Sequence, residues 1–88
     1  MKINLPKHCV IEVNDNSIEN LKQIQLLLHE NGYRWLSGIS LLSKYYPETK
    51  QFILTNKSVT WSSGTDRRGH KIYINYKTIL ILKYLYED

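Results

Sequence analysis

The stretch NDNSIENLKQIQLLLHENG, Asn14 to Gly32, decides how the rest of the chain is read. Asn16 can cap a helix, Glu19 follows three residues later, and Ile18 opens an apolar series. At about 100° per residue, Ile18, Leu21, Ile24, Leu27 and Leu28 share one side, which predicts a helix from there to about Asn31 with one apolar face. Gly32 supplies the left-handed residue that ends it. Leu26 falls off that face, among Glu19, Lys22 and Glu30, as an exposed leucine or a subunit contact.

A single amphipathic helix needs a sheet to cover. Upstream, His8 to Val13 alternates, with Cys9, Ile11 and Val13 on one side and His8, Val10 and Glu12 on the other, as in a strand with one buried face. Downstream, Tyr33 to Leu36 is expected as a short strand that turns Tyr33 and Trp35 inward and Arg34 outward. SGISLLSKYYPETK reads as a loop stopped by Pro47. QFILTN and SVTWSS are expected as strands joined by a turn at Asn56 and Lys57, SSGTDRRGHK as a polar basic turn, and KIYINY as a last strand. KTILILKYLYED satisfies both periods and is assigned to a short C-terminal helix. The expected architecture over residues 1–88 is one α+β domain, an antiparallel sheet of four to five strands packed on one main helix.

With 88 residues, 42% of them hydrophobic, the chain has room for only a marginal core. A binding site shared between copies of a homo-oligomer is the expected solution. Cys9 has no partner for a disulfide, and MKINLPKHCVIEV lacks the apolar run and cleavage site of a signal peptide, so a reducing, cytoplasmic setting without a membrane span is expected. The net charge of +4 favours an anionic partner. Between Lys50 and Lys83, Lys50, Lys57, Arg67, Arg68, Lys71, Lys77 and Lys83 stand against the single acid Asp66, which concentrates positive potential in the C-terminal half.

Chemistry is carried chiefly by aromatic and basic residues. Trp35 and Trp61 lie on expected strands, Tyr45 and Tyr46 in a loop, and Arg67, Arg68, His70 and Lys71 in the basic turn. A nucleobase gains about 1–3 kcal/mol from stacking on an aromatic ring, and an Arg fork matches a phosphate. Strand tryptophans more commonly serve a core, and turn arginines are as often simply solvated. Two adjacent loop tyrosines cannot both turn inward easily, so at least one of Tyr45 and Tyr46 is a surface recognition candidate. Arg34, forced outward between two aromatic residues, is another, although exposed arginines more often form surface ion pairs. The candidate ligand-binding set is therefore Arg34, Tyr45, Tyr46, Trp61, Arg67, Arg68, His70 and Lys71.

Other chemistries find less in the pattern. His8, Cys9, His29 and His70 lack the paired spacing of zinc ligands. Asp66 and His70 could form an acid-base pair, but a solvated turn accounts for both, and no nucleophile, base and orienting group are brought together. No phosphate-binding loop or dinucleotide fingerprint occurs, and nothing requires a cofactor. Binding without catalysis is the expectation.

The order of strand, amphipathic helix, Gly32-Tyr33-Arg34-Trp35, short strands and INYKTILILKYLYED resembles the small accessory proteins of tailed bacteriophages, many of which carry a helix followed by a Gly-Tyr-x-Trp element. That resemblance implies an early protein acting against host defences by stoichiometric binding. Some such proteins sequester nucleotide second messengers of systems such as Thoeris or CBASS without cleaving them. The alternatives are an inhibitor that binds a defence nuclease such as a CRISPR effector, and a small nucleic-acid-binding protein.

Overall fold

The helix forms as its capping chemistry dictates, displaced by one residue at its start. Helix α1 spans Ile18–Glu30, and its N-cap is Ser17, whose hydroxyl accepts from the Asn20 amide at 3.4 Å. The Asp15 carboxylate accepts from the Ser17 amide at 3.0 Å. Asn16, expected as the cap, instead donates its side-chain amide to the carbonyl of Pro47 and ties the helix entry to a distant loop.

At the other end the predicted glycine does what its position requires. Gly32 has φ +87°. Its amide bonds the His29 carbonyl at 3.1 Å and the Tyr33 amide bonds the Leu28 carbonyl at 3.0 Å, the paired closure that stops a helix at a left-handed residue. Leu21, Ile24, Leu27 and Leu28 are buried as the periodicity predicts. Ile18 is not: it is 42% exposed, because it is the first helical residue and its side chain leans toward the N-terminus, away from the turns that meet the sheet. Leu26 is exposed, off the apolar face.

The computed structural model describes residues 3, 5–64 and, by their backbone, 73–75. The expected C-terminal helix and the basic turn with Arg67, Arg68, His70 and Lys71 lie outside the described residues. The strands are β1 (His8–Glu12), β2 (Arg34–Trp35), β3 (Gln51–Thr55), β4 (Ser58–Ser62) and β5 (Tyr73–Asn75), in the spatial order β2-β4-β3-β1-β5.

The fold is α+β, but the sheet is mixed rather than antiparallel. β3 runs antiparallel to both β1 and β4, whereas β5 pairs with β1, and β2 with β4, in parallel. Connectivity explains the difference. A hairpin at Asn56 and Lys57 makes β3 and β4 antiparallel, which leaves β1 and β4 pointing the same way. Helix α1 carries the chain back across the sheet between β1 and β2, so β2 also points that way and can join β4 only in parallel. The β3-β4 hairpin thus fills the gap inside a β1-α1-β2 crossover.

One face of this sheet carries Cys9, Ile11, Phe52, Leu54, Val59 and Trp35, packed with the buried leucines and isoleucine of α1 in one core cluster. Tyr33 and Trp35 are buried and Arg34 is exposed, as the alternation predicts. Val10 departs from expectation. Alternation places it on the solvent side of β1, yet it is fully buried in register with the buried Ile53. Cys9–Ile11 is a continuous apolar run of an interior strand, the pattern of strands covered on both faces.

Candidate functional site

The site is built by the loop between β2 and β3. After Trp35 the chain cannot continue along β4, because Gly38 adopts φ +91° and closes a turn through its amide to the Trp35 carbonyl at 2.7 Å. The Trp35 amide in turn donates to the Ile39 carbonyl at 3.1 Å, so the outer edge of β2 is occupied by its own loop. A second turn at Ser40 to Ser43 sends Leu41 into the core.

Three polar side chains pin the rest of that loop. Gln25, fully buried on α1, donates through Nε2 to the carbonyls of Leu41 at 2.6 Å and Lys44 at 2.9 Å. Asn16 holds the carbonyl of Pro47. Thr49 closes the last turn, its hydroxyl donating to the Tyr46 carbonyl at 2.6 Å.

Anchored in this way, Tyr46 lies on the sheet. Its ring stacks on Trp61 with centroids 4.7 Å apart and an interplanar angle of 17°, and meets Trp35 edge-on at 5.3 Å and 84°. Trp35 also touches Phe52, at 6.3 Å and 42°. The Lys44 ammonium lies 5.2 Å from the centroid of Tyr46, within cation–π reach. A cleft of about 310 Å³ opens beside this group, lined by Trp35, Leu36, Ser37, Ile39, Tyr46, Val59, Thr60 and Trp61. Its volume is that of a small ligand pocket. The buried Trp35 indole N–H has no hydrogen-bond partner.

The sequence-predicted candidates divide. Tyr46 and Trp61 are brought together in the cleft. Tyr45 is half-buried beneath the Lys22 ammonium, 5.7 Å from its ring, and does not line the cleft. Arg34 is on the other face of β2, where its guanidinium donates to the Tyr33 carbonyl at 2.9 Å and lies 3.4 Å from His29 Nδ1. Sequence reasoning missed Leu36 and Ile39, and assigned Trp35 to the core alone. The signal for the loop was present in Gly38, a glycine two residues beyond an expected strand.

A smaller cavity of about 180 Å³ lies at the far end of the β2-β4 pair, lined by Leu5, Lys7, Tyr33, Asn56 and Lys57. Lys57 is already engaged there: its ammonium sits 4.4 Å above the Tyr33 ring and donates to the Asn31 carbonyl at 3.1 Å. Burial pushes the Cys9 thiol up to about 11, and burial, followed by the charge of Cys9, raises the Tyr33 phenol. Among the described residues, no three His, Cys, Asp or Glu side chains are grouped to hold a metal ion, and no helix is long and apolar enough to cross a membrane. Comparison of the chain with known protein families, with curated proteins and with solved structures gave no match.

Proposed function

We propose that this is a binding protein that captures a nucleotide, its base in the aromatic cleft, and withholds it without cleavage. The observation that carries this reading is the convergence of Trp35, Tyr46 and Trp61 on one cleft. Stacking on such rings contributes about 1–3 kcal/mol per base and tolerates any base, which suits a capture site. Aromatic, aliphatic and hydroxyl groups line the cleft, a set made for holding a ring. The net charge of +4 favours the phosphates, for which Arg67, Arg68 and Lys71 are the proposed partners.

The phage resemblance supplies the setting: an anti-defence protein that sequesters a nucleotide immune signal in the host cytoplasm. A homo-oligomer, in which a second copy closes the open side of the cleft, completes the proposal. The test is mass spectrometry of small molecules released by denaturing the protein after purification from defence-expressing bacteria. An intact nucleotide in stoichiometric amount is expected. A hydrolysed product, or no nucleotide, would refute capture.

One observation favours a second reading. Leu36 and Ile39, on the cleft rim, are 70% and 49% exposed, an apolar edge of the kind that meets a protein. An inhibitor of a defence nuclease would use that edge and co-purify with its target.

A further inference from the structure

The cleft sits where a strand stops short. β4 pairs with β3 from Ser58 opposite Thr55 to Ser62 opposite Gln51, and the two-residue turn at Asn56 and Lys57 makes Ser58, Thr60 and Ser62 the positions that exchange hydrogen bonds with β3. Their neighbours Lys57, Val59 and Trp61 therefore turn their backbone groups to the opposite edge. Two of these meet β2, since the Arg34 amide donates to Lys57 at 3.0 Å and the Leu36 amide to Val59 at 2.9 Å. The next rung would join Trp61 to residues 36 and 38. It is not formed, because the Gly38 amide has turned back to Trp35. The N–H and C=O of Trp61 thus face the gap beyond β2, which is the cleft lined by Leu36, Ser37, Ile39, Thr60 and Trp61.

We propose that a nucleobase completes this missing rung, pairing a donor and an acceptor on one edge of its ring with the backbone C=O and N–H of Trp61. This rests on the nucleotide-capture reading and names what that site selects: a planar ring with a hydrogen-bond donor and acceptor side by side, such as N6–H and N1 of adenine or N3–H and O4 of uracil. In an extended residue the N–H and C=O point the same way at the spacing of such an edge, which is how two strands exchange a pair of bonds. The flat faces of the ring then lie against the side chains of the cleft.

The length of the gap favours a base over an added strand. β4 ends at Ser62, β2 already occupies Lys57 and Val59, and among the described residues Trp61 is the one position of β4 whose backbone pair on this edge is not taken up. One pair is the width of a base. A peptide strand needs several successive rungs to repay its ordering.

The test is two-dimensional 15N–1H NMR of the full chain, titrated with 5′-AMP, 5′-GMP, 5′-CMP and 5′-UMP, and with 6-N,N-dimethyl-AMP and 3-methyl-UMP, in which the donor on that edge is blocked. At saturation with the preferred nucleotide, the Trp61 backbone amide should move downfield and its exchange with water should slow about tenfold or more. The blocked counterpart should bind about tenfold more weakly. Nucleotides that perturb the indole signals of Trp35 and Trp61 while leaving the Trp61 amide unchanged, and that bind as well when blocked, would overturn edge pairing yet leave capture standing. No perturbation by any nucleotide would overturn both. Protection of the Trp61 amide that grows with protein concentration alone would show a second copy occupying the rung, and would also overturn the proposal.

Discussion

Replacing Gln25 by Leu removes the side chain that fastens the site loop to the helix while keeping nearly the same volume. The variant loses two hydrogen bonds and leaves the buried Leu41 carbonyl and the partly buried Lys44 carbonyl facing an apolar side chain. Each buried unpaired carbonyl costs about 1–3 kcal/mol, or about 2–6 for the pair. The wild type carries an opposing cost, because the buried Gln25 Oε1 has no partner, and its removal returns about 1–3 kcal/mol. The balance is a destabilisation of about 1–3 kcal/mol, which shifts the thermal midpoint of a domain of this size downward by roughly 5–20 °C. Urea unfolding followed by far-ultraviolet circular dichroism measures it, and near-ultraviolet circular dichroism reports the Tyr46–Trp61 stack, which should weaken as the loop is released. A variant as stable as the wild type, with the aromatic signal intact, would show that the loop is held by something other than Gln25.

Further outcomes follow from the same structure. Gly38→Ala places a side chain where there is open space but at φ +91°, so it should cost about 1–2 kcal/mol through backbone strain alone, measurable by urea unfolding. Trp35→Ala, which removes a 5% exposed ring from the core, should cost about 3–5 kcal/mol or prevent folding. A stable Trp35→Ala that only lost binding would show Trp35 to be a ligand platform and no core residue. Because the folded Cys9 thiol ionises near 11, above its ordinary 9.0, the unfolded chain gives up its proton first. The Cys9 contribution to stability is therefore fully present below pH 9 and is lost as pH rises from about 9 to 11. Urea titrations of wild type and Cys9→Ala across that range should differ in slope, the wild type falling more steeply.

Local chemistry was legible in the sequence and long-range placement was not. Gly32 and the apolar residues of α1 announced the helix end and its buried face, and the Asn56-Lys57 turn announced the β3-β4 hairpin, where Asn56 takes φ +57°. Alternation around Arg34 put Tyr33 and Trp35 on the inside, and so gave the first wall of the cleft. Gln25 was invisible because its role depends on carbonyls 16 and 19 residues away, and an isolated glutamine between Ile24 and Leu26 carries no sign of them. The parallel pairing of β2 with β4 was missed for a similar reason: strand direction follows from which gap the hairpin fills, a property of the whole sheet. Tyr46 and Trp61 were picked out as ring-bearing candidates, but their stacking needed the loop anchors Asn16, Gln25 and Thr49, each of them an ordinary polar residue in the sequence.

Nucleotide capture by the aromatic cleft is tested most directly by calorimetric titration of cyclic and ADP-ribose-derived nucleotides into the wild type and into Trp61→Leu. Trp61 is only partly buried, so this variant should fold, and its loss of stacking is read in affinity. At least one nucleotide should bind the wild type and be recovered intact, and Trp61→Leu should weaken it by about 1–3 kcal/mol, roughly five-fold to more than a hundred-fold in Kd. Equal affinity for the two proteins, or no heat from any nucleotide with the wild type, would contradict it.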